Sequence, residues 1–129
     1  MKFILMTIIL GASMSALSSS NTKIWKGSAT LFVKKEKIEA FKKAVAKIIL
    51  PTRMEQGCIS YHGYQIFDEN GQETNKFKFH EIWKTREAML IDHKENSLHM
   101  KEFFKEIHAD TPESFLESFE VAGDYAIEM

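Results

Sequence analysis

A single cysteine, Cys58, in 129 residues leaves no partner for an intrachain disulfide, so no cystine framework can hold this fold. Charge of one sign is also lacking. Seventeen basic against eighteen acidic side chains give a formal net charge of −1, which provides no basic footprint for nucleic acid. Beyond residue 18 no apolar run reaches membrane length. Absent too are a GxGxxG turn, a phosphate-cradling loop, a GxSxG elbow and a convincing Ser–His–Asp arrangement. Neither HxH nor HExxH occurs and no third ligand stands out, so no metal or other cofactor is expected.

What is present begins with MKFILMTIILGASMSALSSS. Lys2 precedes a short apolar stretch, Phe3 to Leu10, and small residues follow. That is the layout of a secretory signal peptide occupying residues 1–18, and it predicts a periplasmic or secreted protein with no membrane insertion after cleavage. Residues 19–129 then suffice for one domain with one core. In an oxidising compartment the lone thiol of Cys58, flanked by Gly57 and Ile59, reads as a small buried hydrophobe.

Trp25 to Val33 favours a strand. Ile38, Phe41, Val45 and Ile48 then recur at helical spacing, and Pro51 is expected to end that helix near Leu50. Cys58 to Phe67 and Lys76 to Trp83 flank Asn70-Gly71 and predict an antiparallel hairpin. In its second strand Phe77, Phe79, Glu81 and Trp83 alternate with Lys76, Lys78, His80 and Ile82, and the first set reads as the buried one. Thr85 is placed to cap a helix carrying Ala88, Met89 and Leu90. A second helical piece starts near Ser97, with Met100, Phe103, Phe104 and Ile107 facing the core. HADTPES breaks the pattern, and a last strand is expected over Phe119 to Ile127. The order β-α-β-β-α-β predicts an α+β, ferredoxin-like fold with a four-stranded antiparallel sheet covered by helices on one face. Aromatic residues on several strands leave the other face in need of cover, and a second copy of the chain is the simplest one.

Among polar residues, folding the hairpin about Gly71 brings His62 opposite His80. Two imidazoles there could hold a metal, move a proton, or stand as solvated side chains. Glu81, between Phe79 and Trp83, needs a partner for a desolvated carboxylate: Arg53 or a backbone N–H, or else a ligand pocket that it borders. His93 and His99 do not share a helical face, yet DHKENSLH could bend to aim both at a cavity above the sheet.

Three segments carry a resemblance: RMEQGCISY from Arg53, FHEIW from Phe79 followed by Thr85-Arg86-Glu87-Ala88, and HKENSLHMKEF from His93. Together they resemble the antibiotic biosynthesis monooxygenase domain, the dimeric α/β barrel group that includes quinol monooxygenases, over about Trp25 to Met129. The resemblance implies a homodimer and a cofactor-independent oxidation of a small quinol or phenol. It also implies a site between sheet and helices near Trp83, His93 and His99. In that reading His93 is the base, with His99 and His62 as further catalytic candidates. Trp83 and Phe104 shape the wall, Tyr64 or His62 orients oxygen atoms, and His80 and Glu81 border the substrate. Haem-degrading relatives fit poorly, because Ser28 or Ala29 stands where their asparagine is expected and no tryptophan lies near Asp92-His93. Two alternatives remain: a non-catalytic periplasmic dimer that binds a small molecule, and a non-oxidative small-molecule enzyme on the same fold.

Overall fold

A computed structural model describes residues 23–124, so the expected export segment lies outside the described residues. The first strand, β1 (Trp25–Val33), leads through a single 3-10 turn into α1 (Ile38–Arg53). A hairpin follows, β2 (Cys58–Phe67) and β3 (Glu73–Trp83). A π-helical segment (Ala88–Glu95), α2 (Leu98–Glu106) and β4 (Leu116–Asp124) complete the chain. The strands assemble antiparallel in the order β2-β3-β1-β4, which is the expected ferredoxin-like topology. None of the described helices is long and apolar enough to cross a membrane.

Strand alternation sorts the sheet into two faces. Phe77, Phe79, Glu81 and Trp83 all point toward the helices and are buried. Tyr61, opposite Glu81 in the register, joins them. The hairpin register brings His62 opposite His80 as expected. It turns on Gly71, whose φ of 77° lies in the left-handed region that glycine adopts at least cost. Asp68 Oδ1 braces the turn by accepting the Asn70 and Gln72 N–H groups.

α1 buries Phe41, Ala44, Ile48 and Thr52 at intervals of three and four, and Phe41 meets Phe77 edge to face at 4.9 Å. The helix does not stop at Leu50. Pro51 deprives it of one N–H, but Thr52 is fully buried and the Met54 N–H caps the carbonyls of Leu50 and Pro51. Core packing therefore carries one more turn through the proline.

The final strand also differs from expectation and starts at Leu116 rather than Phe119. His108, with φ of 55°, ends α2, and the Phe115 N–H returns to the Ile107 carbonyl at 2.9 Å. The Lys34 N–H then takes the Phe115 carbonyl at 2.8 Å and sets Leu116 against Val33. The expected stretch beyond Asp124 lies outside the described residues.

Candidate functional site

Helices cover the sheet incompletely, and a cavity of about 540 Å³ opens between them. Its floor comes from β1, β3 and β4 through Ala29, Phe79 and Val121, and its roof from α2 through Met100, Phe103 and Phe104. The lining is mainly apolar. Polar groups enter through Tyr61, Glu81, His93, Lys94, Asp110 and Thr111. The volume lies within the range of small-molecule sites.

His93 is the most constrained of these groups. Thr85 Oγ1 accepts the Ala88 N–H at 3.0 Å, as a cap should, but the turns that follow widen to π-helical geometry over Ala88–Glu95. The Asn96 N–H reaches back to the Ile91 carbonyl, a five-residue step. The Ser97 hydroxyl donates to the His93 carbonyl at 2.6 Å, while the same oxygen accepts the Met100 N–H and caps α2. The imidazole is only 1% exposed, with its ring 4.7 Å from that of Trp83 and 5.5 Å from that of Tyr61.

The partner of His93 is Glu55, in the turn after α1. Its Oε2 lies 2.6 Å from His93 Nδ1 and 3.0 Å from His99 Nε2. His99 Nε2 is also 3.1 Å from Thr52 Oγ1. With two nitrogens converging on one carboxylate oxygen, each imidazole satisfies Glu55 by donating its N–H. Nδ1 of His93 is thereby engaged, and Nε2 is the ring nitrogen left for a molecule in the cavity. These three side chains are also the one group of donors among the described residues close enough to share a metal ion.

Electrostatics around the cavity follow from burial. Glu81 Oε1 accepts the Trp83 indole N–H at 2.8 Å, which answers the need for a partner and ties the carboxylate to its own strand. Arg53 does not serve it. Its Nε donates to the Tyr61 carbonyl, and its Nη2 lies 3.1 Å from His62 Nδ1. Burial raises the Tyr61 phenol well above its ordinary range, and the Glu81, Cys58 and Glu55 charges add to that. The Lys94 ammonium is lowered, chiefly by burial and also by Arg86, with Glu81 acting in the opposite sense.

Of the residues singled out from sequence, His93, Glu81 and Phe104 line the cavity. His99 lies outside the lining but beside His93, their rings 5.9 Å apart and Glu55 hydrogen-bonded to both, and Trp83 packs behind His93 without joining the lining. His62, Tyr64 and His80 are not gathered with them. Strand alternation turns these three to the outer face of the sheet, where they are exposed; His62 stacks on Tyr64 at 6.2 Å and Tyr64 meets His80 edge to face at 5.8 Å. A shared cavity for them on the helix side is thus excluded by their parity. Sequence reasoning missed Glu55, Thr52, Tyr61 and Lys94. Glu55 lies in a connection with no periodicity, while the pairing of Tyr61 with Glu81 was implicit in the register that joins His62 to His80.

Residues 28–106, more than half of the chain, match the family described as antibiotic biosynthesis monooxygenase. In fold the chain resembles a protein of Nitrosomonas europaea described by that same activity, with a TM-score of 0.66 and 21% identity over 81% of this chain and 99% of that one. A Pseudomonas aeruginosa protein gives 0.65 and 22% over 81% and 95%, and one from Shewanella oneidensis gives 0.61 and 23% over 81% and 92%. A 57-residue segment is 42% identical to an uncharacterised protein of Synechocystis sp., spanning 44% of this chain and 36% of that protein's length. By the match over residues 28–106, this chain belongs to the antibiotic biosynthesis monooxygenase family.

Proposed function

We propose that this protein is a cofactor-independent monooxygenase that oxidises a small quinol or phenol, with His93 as its base. One observation carries the reading: the 2.6 Å contact between His93 Nδ1 and Glu55 Oε2, behind an imidazole that lines an apolar cavity. Glu55 holds the Nδ1–H tautomer and stabilises the imidazolium that forms when Nε2 takes a phenolic proton. The resulting phenolate is electron-rich and gives its electrons to dioxygen. A ring carbon bonds one oxygen atom as a hydroperoxide, and loss of water from that carbon leaves a quinone. Phenol and O2 thus become quinone and water, and His93 returns its proton to the departing oxygen. Phe79, Phe103 and Phe104 keep bulk water from the reacting pair.

The same proposal includes a homodimer in which a second copy covers the outer sheet face. His62, Tyr64 and His80 then belong to the interface and not to the chemistry. It also includes export to the periplasm through residues 1–18.

The test is oxygen uptake by the purified protein with a panel of quinols and polyphenols, each corrected for spontaneous oxidation. Enzyme-dependent uptake lost in His93→Gln, with circular dichroism unchanged, is the expected result. A folded protein inactive on the whole panel would turn the reading toward a binding protein.

A further inference from the structure

The cluster behind His93 has a second chemical capacity. Glu55 Oε2, a nitrogen of His93 and one of His99 come from three different elements and lie within 4.8 Å of one another. His93 is buried and the other two are only partly open to solvent: the side chains of His93, Glu55 and His99 are 1%, 15% and 20% exposed. Their mutual placement is built. The Ser97 hydroxyl that receives the first turn of α2, where His99 sits, also donates to the His93 carbonyl. Thr52, fully buried, places its Oγ1 3.1 Å from His99 Nε2, the same nitrogen that contacts Glu55.

We propose that Glu55, His93 and His99 bind one divalent first-row transition-metal ion. Two imidazoles and one carboxylate are the donor set of zinc, cobalt, nickel or iron(II), not of magnesium or calcium, which take mostly oxygen donors. With metal–ligand bonds of about 2.0–2.2 Å, tetrahedral ligand atoms stand roughly 3.4 Å apart. The carboxylate oxygen now lies 2.6 and 3.0 Å from the two nitrogens, so insertion lengthens each of these by under an ångström, while the two nitrogens, within 4.8 Å of each other, settle at the same spacing. The ion replaces the two N–H groups that Glu55 accepts. At His93 the displaced proton moves to Nε2, which changes the nitrogen left for the cavity from acceptor to donor. Metal binding and base catalysis are therefore alternative states of one cluster, and the ion is an inhibitor of the chemistry proposed above. The site uses the same side chains as that reading but does not depend on it.

The full chain without an affinity tag is titrated with Co2+, read by d–d absorption and by calorimetry. One ion per chain is expected, with neither Mg2+ nor Ca2+ competing. Glu55→Gln and His99→Gln, each checked by circular dichroism, should weaken Co2+ by more than the roughly 10–100-fold that loss of an outer partner costs. Unchanged affinity in either folded variant, or no d–d band with the natural chain at millimolar Co2+, overturns the proposal. Should both variants fail to fold, Zn2+ must slow diethyl pyrocarbonate modification of His99 while leaving exposed His108 reactive. Equal rates at the two would overturn it. In an oxygen-uptake assay, added Zn2+ should suppress activity and chelation restore it. Without any oxygenase activity the cobalt titration still decides the site.

Discussion

Glu55 sits in a turn that no periodic pattern marks, yet one of its oxygens receives both His93 and His99. Glu55→Gln keeps the size of the side chain but removes the charge that fixes the tautomer and offsets the imidazolium. It should lower the turnover of quinol oxidation by roughly 10²–10⁴-fold with little change in KM. A loss confined to KM would place Glu55 in binding instead. Cys58 makes a contrasting residue-scale case. Burial, followed by the Glu55 and Glu81 charges, pushes its thiol up to about 11, against the opposing effect of Arg53 and a backbone hydrogen bond involving Ser60. The thiol is neutral below that value, so the nucleophilic thiolate grows only as pH rises toward it. Alkylation by iodoacetamide should therefore climb about tenfold per unit between about pH 8 and pH 10. A rate that levels near pH 9 would refute the shifted thiol, though not the packing of half-buried Cys58 against the core.

At the scale of elements, the π-helical segment decides where His93 goes, and the turn that leads into β2 decides where that segment can lie. A Cβ built on Gly57 would sit 2.4 Å from the Cβ of Ala88, the first residue of the segment. Gly57→Ala should cost about 1–3 kcal/mol in urea unfolding through this overpacking, and it should displace His93 as well. Adding Ala88→Gly removes the clash, so the double variant should regain much of the loss despite its extra glycine. Strictly additive losses would show that the two Cβ positions do not compete. Periodicity gave no warning of this geometry. Thr85, Ala88, Met89 and Leu90 read as an ordinary helix start, and a helical pattern of burial does not distinguish α from π turns over eight residues.

At the scale of the molecule, the sheet has one face under helices and one under nothing that belongs to its own described residues. The outer face carries His62, Tyr64, Lys78 and His80, with Tyr64 49% exposed. If a second copy covers it, sedimentation equilibrium will give twice the chain mass, and Tyr64→Asp will shift the population toward monomer. The far-UV spectrum should stay unchanged, because the substitution touches no core contact. A monomer in the natural chain would remove the dimer from the proposal while leaving the Glu55–His93 pair intact within each copy.

Much of this architecture follows from local chemistry. Alternation in β3 put Phe77, Phe79, Glu81 and Trp83 on one face, and the Asn70-Gly71 reversal set the register that pairs His62 with His80. These are short-range properties of a chain whose pleat has period two. The same parity, followed one step further, separates His62, Tyr64 and His80 from His93 by the thickness of the sheet. Only the tertiary structure decided the rest: that α1 continues through Pro51, that Glu55 meets two histidines 38 and 44 residues away, and that an apolar cavity opens beside them. Such contacts join segments distant in sequence. Their geometry depends on how whole elements pack, and no local pattern of residues encodes that distance.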